Sequence, residues 1–247
     1  MINGIDRKIK MQLIRESKEE IEICNKDLYQ GTAIKGVLFD MDGVILDTEK
    51  LYTRFWREAA QALGFAMTHE MALGMRSLSH QVGERQLKAY LGDEVDYQQV
   101  RSKRIELMTA FINENGVELK SGIHELLEFL NKNGLKKAIA TSSPLDRTKE
   151  YLSQVGLVDA FDELVSGHMV EHGKPAPDIY LHAASKLGLK PEECLVLEDS
   201  PTGLLAAYRA GCIPVMVPDQ DQPDDEVKSR SYAVVNSLVD VIQLFRS

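Results

Sequence analysis

Short apolar runs alternate with longer stretches that carry apolar residues at helical spacing along most of this chain. The short runs predict buried strands at 34–40, 136–143, 162–167, 194–200, 212–219 and 232–237. Helical patterns lie between them at 122–134, 146–156, 176–188 and 201–211, and each ends at a glycine. Strands that alternate with helices of this length predict an α/β fold, in which a Rossmann-like parallel sheet is flanked by helices.

Two segments depart from this alternation. Residues 48–118 contain no convincing strand and have the pattern of amphipathic helices, so they predict an all-α cap inserted directly after the first strand. Residues 6–29 are highly charged and favour a helix with an apolar stripe formed by Ile9, Leu13, Ile21, Cys24 and Leu28. We therefore expect an N-terminal helical extension at 1–33, a core formed by 34–47 and 119–247, and a helical cap at 48–118.

The composition is that of an ordinary globular protein and excludes several classes. The 247 residues are 44% hydrophobic and 27% charged, so a core of useful size can form. A net charge of -9 argues against a nucleic-acid surface, which needs a basic patch. The three cysteines (Cys24, Cys194 and Cys212) show no CxxC spacing and do not form a disulfide framework. Since no signal-peptide pattern and no apolar run near ~20 residues occur, we expect a cytoplasmic protein that makes no membrane contact.

Polar residues follow or end four of the predicted strands. In chain order they are Asp40 and Asp42, Thr141 and Ser142, Lys174, and Glu198 and Asp199. In a parallel sheet these strand ends share one edge, which is where ligands bind. Four acids crowded together stay ionised only beside a cation, and Mg²⁺ with oxygen ligands is the usual choice where phosphate also binds. A metal, a lysine, a hydroxyl and a carboxylate nucleophile together suit phosphoryl transfer.

Four motifs of the chain resemble those of the haloacid dehalogenase superfamily of phosphohydrolases, in the subgroup with a helical cap. The motifs are FDMDGVILDTE at 39–49, ATSS at 140–143, GKPAPDIY at 173–180 and LVLEDSPTGLLAAYRAG at 195–211. They occur in the family's order, and the predicted cap lies where this subgroup places it. Any one of them alone would be weak, whereas four in order are specific.

The resemblance implies a role for the residues that match each motif. Asp40 resembles the nucleophile that forms an aspartyl-phosphate. Asp42 resembles the acid that protonates the leaving oxygen and then, as a base, activates water. Thr141 and Lys174 match the phosphate-binding pair, and Ser142 is expected to contact the substrate beside them.

The resemblance also implies a metal site and a function. Glu198 and Asp199, with Asp40 and the backbone carbonyl of Asp42, match the Mg²⁺ ligands. The implied function is that of a small phosphatase acting on sugar phosphates or nucleoside monophosphates, a group that includes pseudouridine-5′-phosphatases. We expect a small phosphorylated metabolite as the partner, and a monomer or homodimer.

Substrate choice is expected to depend on the cap. Arg76, in a loop at 73–81, is a candidate for holding an anionic or hydroxylated leaving group with its guanidinium fork, although a solvated turn is an equal alternative. Tyr52 stands where mutases of the β-phosphoglucomutase type carry a histidine, which favours water as the phosphate acceptor. Such a mutase is the alternative function, and a non-enzymatic binding protein of the same fold is the third.

Overall fold

In the part of the chain that the structure describes, seven strands form one sheet. The computed structural model describes residues 21–29, 31–76, 78 and 80–245. The strands are β1 (Glu22–Ile23), β2 (Gly36–Phe39), β3 (Lys136–Thr141), β4 (Glu163–Ser166), β5 (Cys194–Glu198), β6 (Ile213–Met216) and β7 (Ala233–Val234). Their order is β1-β7-β6-β5-β2-β3-β4, and every pair is parallel except β1 with β7. The predicted α/β fold with a Rossmann-like sheet is confirmed.

The central strand β2 is apolar on both faces because helices cover both sides of the sheet. Val37 and Phe39 point into one hydrophobic cluster, and Leu38 points into another on the opposite face. Successive side chains of a strand alternate between faces, so a strand with two covered faces reads as a continuous apolar run. This is why the short apolar runs of the sequence locate the strands.

Helices occupy the chain between β2 and β3. They are α1 (Glu49–Ala62), α2 (His69–Leu73), α3 (His80–Leu91) and α4 (Tyr97–Asn115), and they surround a hydrophobic cluster that includes Trp56 and Leu87. The short helix α2 was not predicted; it begins where the Thr68 side chain accepts a hydrogen bond from the N–H of Met71. The described residues from 49 to 115 contain no strand, as expected. The division into cap and core domains stays a prediction.

The remaining helices connect the later strands and flank the sheet. They are α5 (Ile123–Lys132), α6 (Leu145–Gln154), α7 (Asp178–Lys186), α8 (Pro201–Arg209) and α9 (Asp225–Ser229). The helix α9 begins inside the polar, acidic segment 218–226, where the Asp224 side chain accepts a hydrogen bond from the N–H of Val227. Within the part of the chain that the structure describes, no helix combines the length and apolar character needed to cross a membrane.

The predicted N-terminal helix is wrong in the part that the structure describes. Glu22 and Ile23 form the edge strand β1, and only residues 26–28 form a single 3-10 turn. The backbone N–H of Cys24 donates to the carbonyl of Tyr232 at 2.9 Å, so this segment extends the sheet beside β7. Pairing with an open sheet edge outweighs the local preference for a helix. Residues 1–20, which carry the rest of that prediction, lie outside the described residues.

Candidate active site

The carboxyl ends of three neighbouring strands meet at one edge of the sheet, because β2 lies between β3 and β5. Asp40 directly follows β2, and its N–H donates to the carbonyl of Leu197 at 3.0 Å. Thr141 ends β3 and Glu198 ends β5. The side chains expected to share one edge therefore do so.

Lys174 bridges two of these carboxylates. It lies in the loop after β4, and its ammonium group donates to Oδ1 of Asp40 and Oε1 of Glu198, each at 2.5 Å. A third bond, to the carbonyl of Ala140 at 3.1 Å, satisfies the remaining donor. All three charged side chains are buried, so the bridge depends on this complete pairing.

The site holds more negative charge than Lys174 can neutralise. Burial raises the pKa of Asp40 well above its ordinary value; Lys174 opposes the rise, and the Glu198 and Asp42 carboxylates add to it. Burial likewise raises the pKa of Asp199, and the nearby Glu198 carboxylate raises it further. Burial lowers the pKa of Lys174, but Asp40 and Glu198 outweigh it and hold that pKa above its usual range. Such a site favours an additional cation.

Three carboxylates are arranged so that one ion could reach all of them. Asp40, Glu198 and Asp199 each offer an oxygen, and these oxygens lie within 4.8 Å of one another. Hard oxygen donors, burial and surplus negative charge fit a small divalent cation such as Mg²⁺. The side chain of Asp42 is not part of this cluster, which is consistent with its predicted contribution through the backbone carbonyl. The ligand roles stay predictions.

Neighbouring groups fix the orientation of Glu198, which is completely buried. The hydroxyl of Tyr180 donates to Oε1 at 2.5 Å, and the hydroxyl of Ser200 donates to Oε2 at 3.0 Å. Gly203 lies so close that a side chain there would collide with the carboxylate. These contacts leave the carboxylate one orientation, directed toward Asp40 and Lys174.

The turn after β2 orients Asp42. The hydroxyl of Thr48 donates to its Oδ1 at 2.7 Å, and the hydroxyl of Ser143 donates to its Oδ2 at 3.0 Å. Gly43 has φ +83°, and a Cβ at this position would collide with the carboxylate of Asp199. The glycine therefore allows the turn to pass close to the acidic cluster while Asp42 points away from it.

The residues predicted to bind phosphate line the same cleft as Asp40. The buried Thr141 hydroxyl accepts from the N–H of Ser143 at 3.0 Å, so its own proton remains available to donate. Ser142 is exposed beside it. Both positions are suited to hold phosphate oxygens next to Lys174.

The cleft has a volume of about 420 Å³ and is lined by both the cap helices and the core. Tyr52 and Arg76 contribute to its cap side. The guanidinium of Arg76, however, is already paired, through Nη1 with Glu49 at 3.4 Å and through Nη2 with Asp221 at 2.9 Å. Its predicted contact with the leaving group stays a prediction; the observed contacts join the cap loop to the loop after β6.

Sequence reasoning missed two sets of residues. The first holds the acids in place, and its members lie inside or directly beside the recognised motifs, which was the available signal: Thr48, Ser143, Tyr180 and Ser200. The second lines the cleft with positive charge: Arg101, Arg104 and Arg147. Those arginines lie on helices, where a charged residue usually faces solvent, so no local pattern marks them.

The chain is similar to known phosphohydrolases over most of its length. A sequence model of the haloacid dehalogenase-like hydrolases matches residues 34–211. A phosphorylated carbohydrates phosphatase of Thermotoga maritima is 32% identical over 84% of this chain and 88% of its own. A probable pseudouridine-5′-phosphatase of Drosophila melanogaster is 36% identical over 82% and 89%, respectively. A β-phosphoglucomutase of Bacillus subtilis is 29% identical over 77% and 85%.

Proposed function

Since the chain belongs to the haloacid dehalogenase-like hydrolase family, we propose that it is a Mg²⁺-dependent phosphatase of small phosphomonoesters. The substrate class is that of sugar phosphates or nucleoside monophosphates, and the reaction passes through an aspartyl-phosphate on Asp40. One observation carries the proposal: Lys174 bridges Asp40 and Glu198 at the strand ends, with Asp199 close enough to share an ion with both.

The first half of the reaction uses the two aspartates and the phosphate-binding residues. Thr141, Ser142 and Lys174 hold the phosphoryl oxygens. An oxygen of Asp40 bonds to phosphorus as the ester bond to the leaving group breaks. Asp42 enters this step protonated and gives its proton to the leaving oxygen, which leaves the carboxylate form that the Thr48 and Ser143 hydroxyls stabilise.

The second half restores the enzyme. Asp42, now ionised, removes a proton from water, which bonds to phosphorus as the bond to Asp40 breaks. Phosphate leaves and both aspartates return to their starting states. The residues that would hold Mg²⁺ are Asp40, Glu198, Asp199 and the carbonyl of Asp42. The ion would supply electrostatic stabilisation for the negative charge on the phosphoryl oxygens.

A mutase is the second candidate, because a β-phosphoglucomutase is among the relatives. Such an enzyme returns the phosphoryl group to a sugar rather than to water. Tyr52 favours the phosphatase, since the mutase-like proteins carry a histidine at the matching position. The hydroxyl of Tyr52 is not a proton carrier near neutral pH, because burial, with the Asp42 charge adding to it, raises its pKa well above the ordinary value.

The test is a phosphate-release screen over sugar phosphates and nucleoside monophosphates with Mg²⁺, without any bisphosphate activator. β-Glucose 1-phosphate is included, and its isomerisation is followed in parallel. We expect inorganic phosphate from several monoesters. Stoichiometric conversion to glucose 6-phosphate with little phosphate released would instead make the protein a mutase.

A further inference from the structure

Three arginines line the active-site cleft from two sides. Arg101 and Arg104 lie on α4 and are three residues apart, which places them on one face of that helix. Arg147 lies on α6, in the core. All three line the cavity that also contains Asp40 and Lys174. The cap and the core thus each contribute positive charge to the cleft.

Arg104 is buried without a carboxylate partner. It is 6% exposed, and its guanidinium carbon lies 4.8 Å from the centre of the Tyr52 ring and 5.1 Å from that of Trp56. Its Nε has no hydrogen-bond partner among the described residues. The aromatic rings stabilise the charge in part, but a buried donor without an acceptor is costly. A buried guanidinium with an unpaired N–H donor would be stabilised by a bound anion.

Arg101 and Arg147 do not supply the acceptor that Arg104 lacks. Within the described ranges, no ion pair joins Arg101, Arg104 or Arg147 to an acid, although thirteen other lysines and arginines form one. Burial lowers the pKa of Arg104; Tyr52 opposes this decrease, and the positive charges of Arg147 and Arg101 add to it. Three cations without acidic partners therefore line one cleft.

Tyr52 connects these arginines to the part of the site where Asp42 lies. The ring of Tyr52 contacts Arg104, and burial together with the negative charge of Asp42 raises the pKa of the Tyr52 hydroxyl. Asp42 is the residue proposed to protonate the leaving oxygen. The phosphoryl group itself is held elsewhere, by Lys174 and Thr141. Arg76 is already paired with Glu49 and Asp221 and adds no free charge here.

We propose that Arg101, Arg104 and Arg147 form a second anion-binding subsite, so that the preferred substrate is a phosphomonoester whose leaving group carries its own carboxylate or second phosphate. The inference rests on the proposed phosphatase function and specifies its substrate class. Guanidinium forks bind either anion through paired hydrogen bonds, so the shared chemistry is that of an oxyanion remote from the scissile bond.

Two matched substrate pairs test the subsite and distinguish the anions. 3-Phosphoglycerate and glycerol 3-phosphate differ by a carboxylate in place of a hydroxymethyl group. Fructose 1,6-bisphosphate and fructose 6-phosphate differ by a second phosphate. We expect kcat/KM for phosphate release to favour the anionic member of at least one pair by about 10- to 100-fold, the value of a charge-assisted hydrogen bond. The pair that shows the preference identifies the anion.

Variants then assign the preference to these residues. Arg104→Met should reduce it by about 10-fold or more, mainly through KM, and Arg104→Lys should restore part of it. Arg147→Met, at a partly exposed position, gives the same test if Arg104→Met does not fold. Lys103→Met is the matched control, because Lys103 lies on the same helix, does not line the cleft and pairs with Glu106. The control should keep the full preference.

The outcomes separate this inference from the proposed function. If para-nitrophenyl phosphate is hydrolysed with Mg²⁺ but neither pair shows a preference, the subsite is overturned and the phosphatase function stands. A preference that survives in both arginine variants also overturns the subsite. If no phosphate is released from any substrate, the phosphatase function fails. Calorimetric binding of 3-phosphoglycerate against glycerol 3-phosphate, in wild type and Arg147→Met, then decides the subsite alone.

Discussion

Replacing Tyr180 with phenylalanine removes one hydroxyl group from a fully buried position beneath the candidate metal site. That hydroxyl donates to Oε1 of Glu198 at 2.5 Å, and Lys174 is the other donor to the same oxygen. Phenylalanine keeps the ring, so packing changes little. A hydrogen bond to a charged acceptor contributes about 1.5–3 kcal/mol, and we expect the free energy of unfolding to fall by that amount.

Thermal unfolding in EDTA measures this loss without interference from bound metal. For a chain of this length, the expected decrease in Tm is about 3–12 °C. Tyr208→Phe is the matched control, because Tyr208 is 44% exposed on α8 and its hydroxyl makes no hydrogen bond within the described part of the chain. Its Tm should stay at the wild-type value. Equal Tm values for Tyr180→Phe and wild type would refute the claim that this hydroxyl stabilises the buried carboxylate.

The same variant tests whether Glu198 serves the metal. A group that orients a metal ligand typically contributes 10- to 100-fold to metal affinity or activity. We therefore expect the Mg²⁺ concentration for half-maximal phosphate release to rise by about 10- to 100-fold in Tyr180→Phe. An unchanged Mg²⁺ requirement together with a lower Tm would leave Glu198 a structural role only.

Three further predictions concern the acids beside the nucleophile. Asp42→Asn should reduce kcat/KM for glycerol 3-phosphate far more than for para-nitrophenyl phosphate, whose good leaving group needs little protonation; equal losses would contradict the acid role. Thr48→Val removes one hydrogen bond to Asp42 and should cause the same selective loss at about 10-fold, measured with the same substrate pair. Burial raises the pKa of Glu49 to about 7, so the folded protein binds an extra proton between about pH 4.5 and 7, and this contribution to stability is lost as pH rises through 7. Glu49→Gln should therefore gain stability relative to wild type as pH rises across that interval, by up to roughly 3 kcal/mol in urea unfolding with EDTA; a difference that does not change with pH would contradict the shift.

Much of the acidic site could be predicted from sequence because the topology of the sheet determines where its strands end. Asp40, Thr141 and Glu198 each end an apolar run, and a parallel sheet brings such ends to one edge whatever the details of packing. The order of apolar runs and acidic residues along the chain was therefore enough to predict that the acids lie together. The roles of Gly43 and Gly203, by contrast, are visible only in the structure, where a Cβ at either position would collide with a carboxylate.

The arginines that line the cleft could not be predicted this way. Arg104 has the sequence context of a solvated helical residue, and its burial against Tyr52 and Trp56 depends on how α4 packs against α1. Arg76 likewise pairs with Asp221, which is distant in sequence and belongs to a different loop. The strand at Glu22–Ile23 is a third case, because pairing with β7 decides its structure. Each outcome depends on a tertiary contact that local patterns do not encode.

Phosphate release by wild type and Asp40→Asn, each with Mg²⁺ and with EDTA, tests the central claim most directly. The asparagine keeps the shape of the side chain but removes the attacking charge and one proposed metal ligand. We expect wild type to release phosphate only with Mg²⁺, and Asp40→Asn to release almost none. The variant should still unfold cooperatively, because the asparagine oxygen can accept the hydrogen bond from Lys174 and the repulsion from Glu198 and Asp42 is removed. An Asp40→Asn enzyme that turns over at near the wild-type rate, or a wild-type enzyme indifferent to EDTA, would contradict the account.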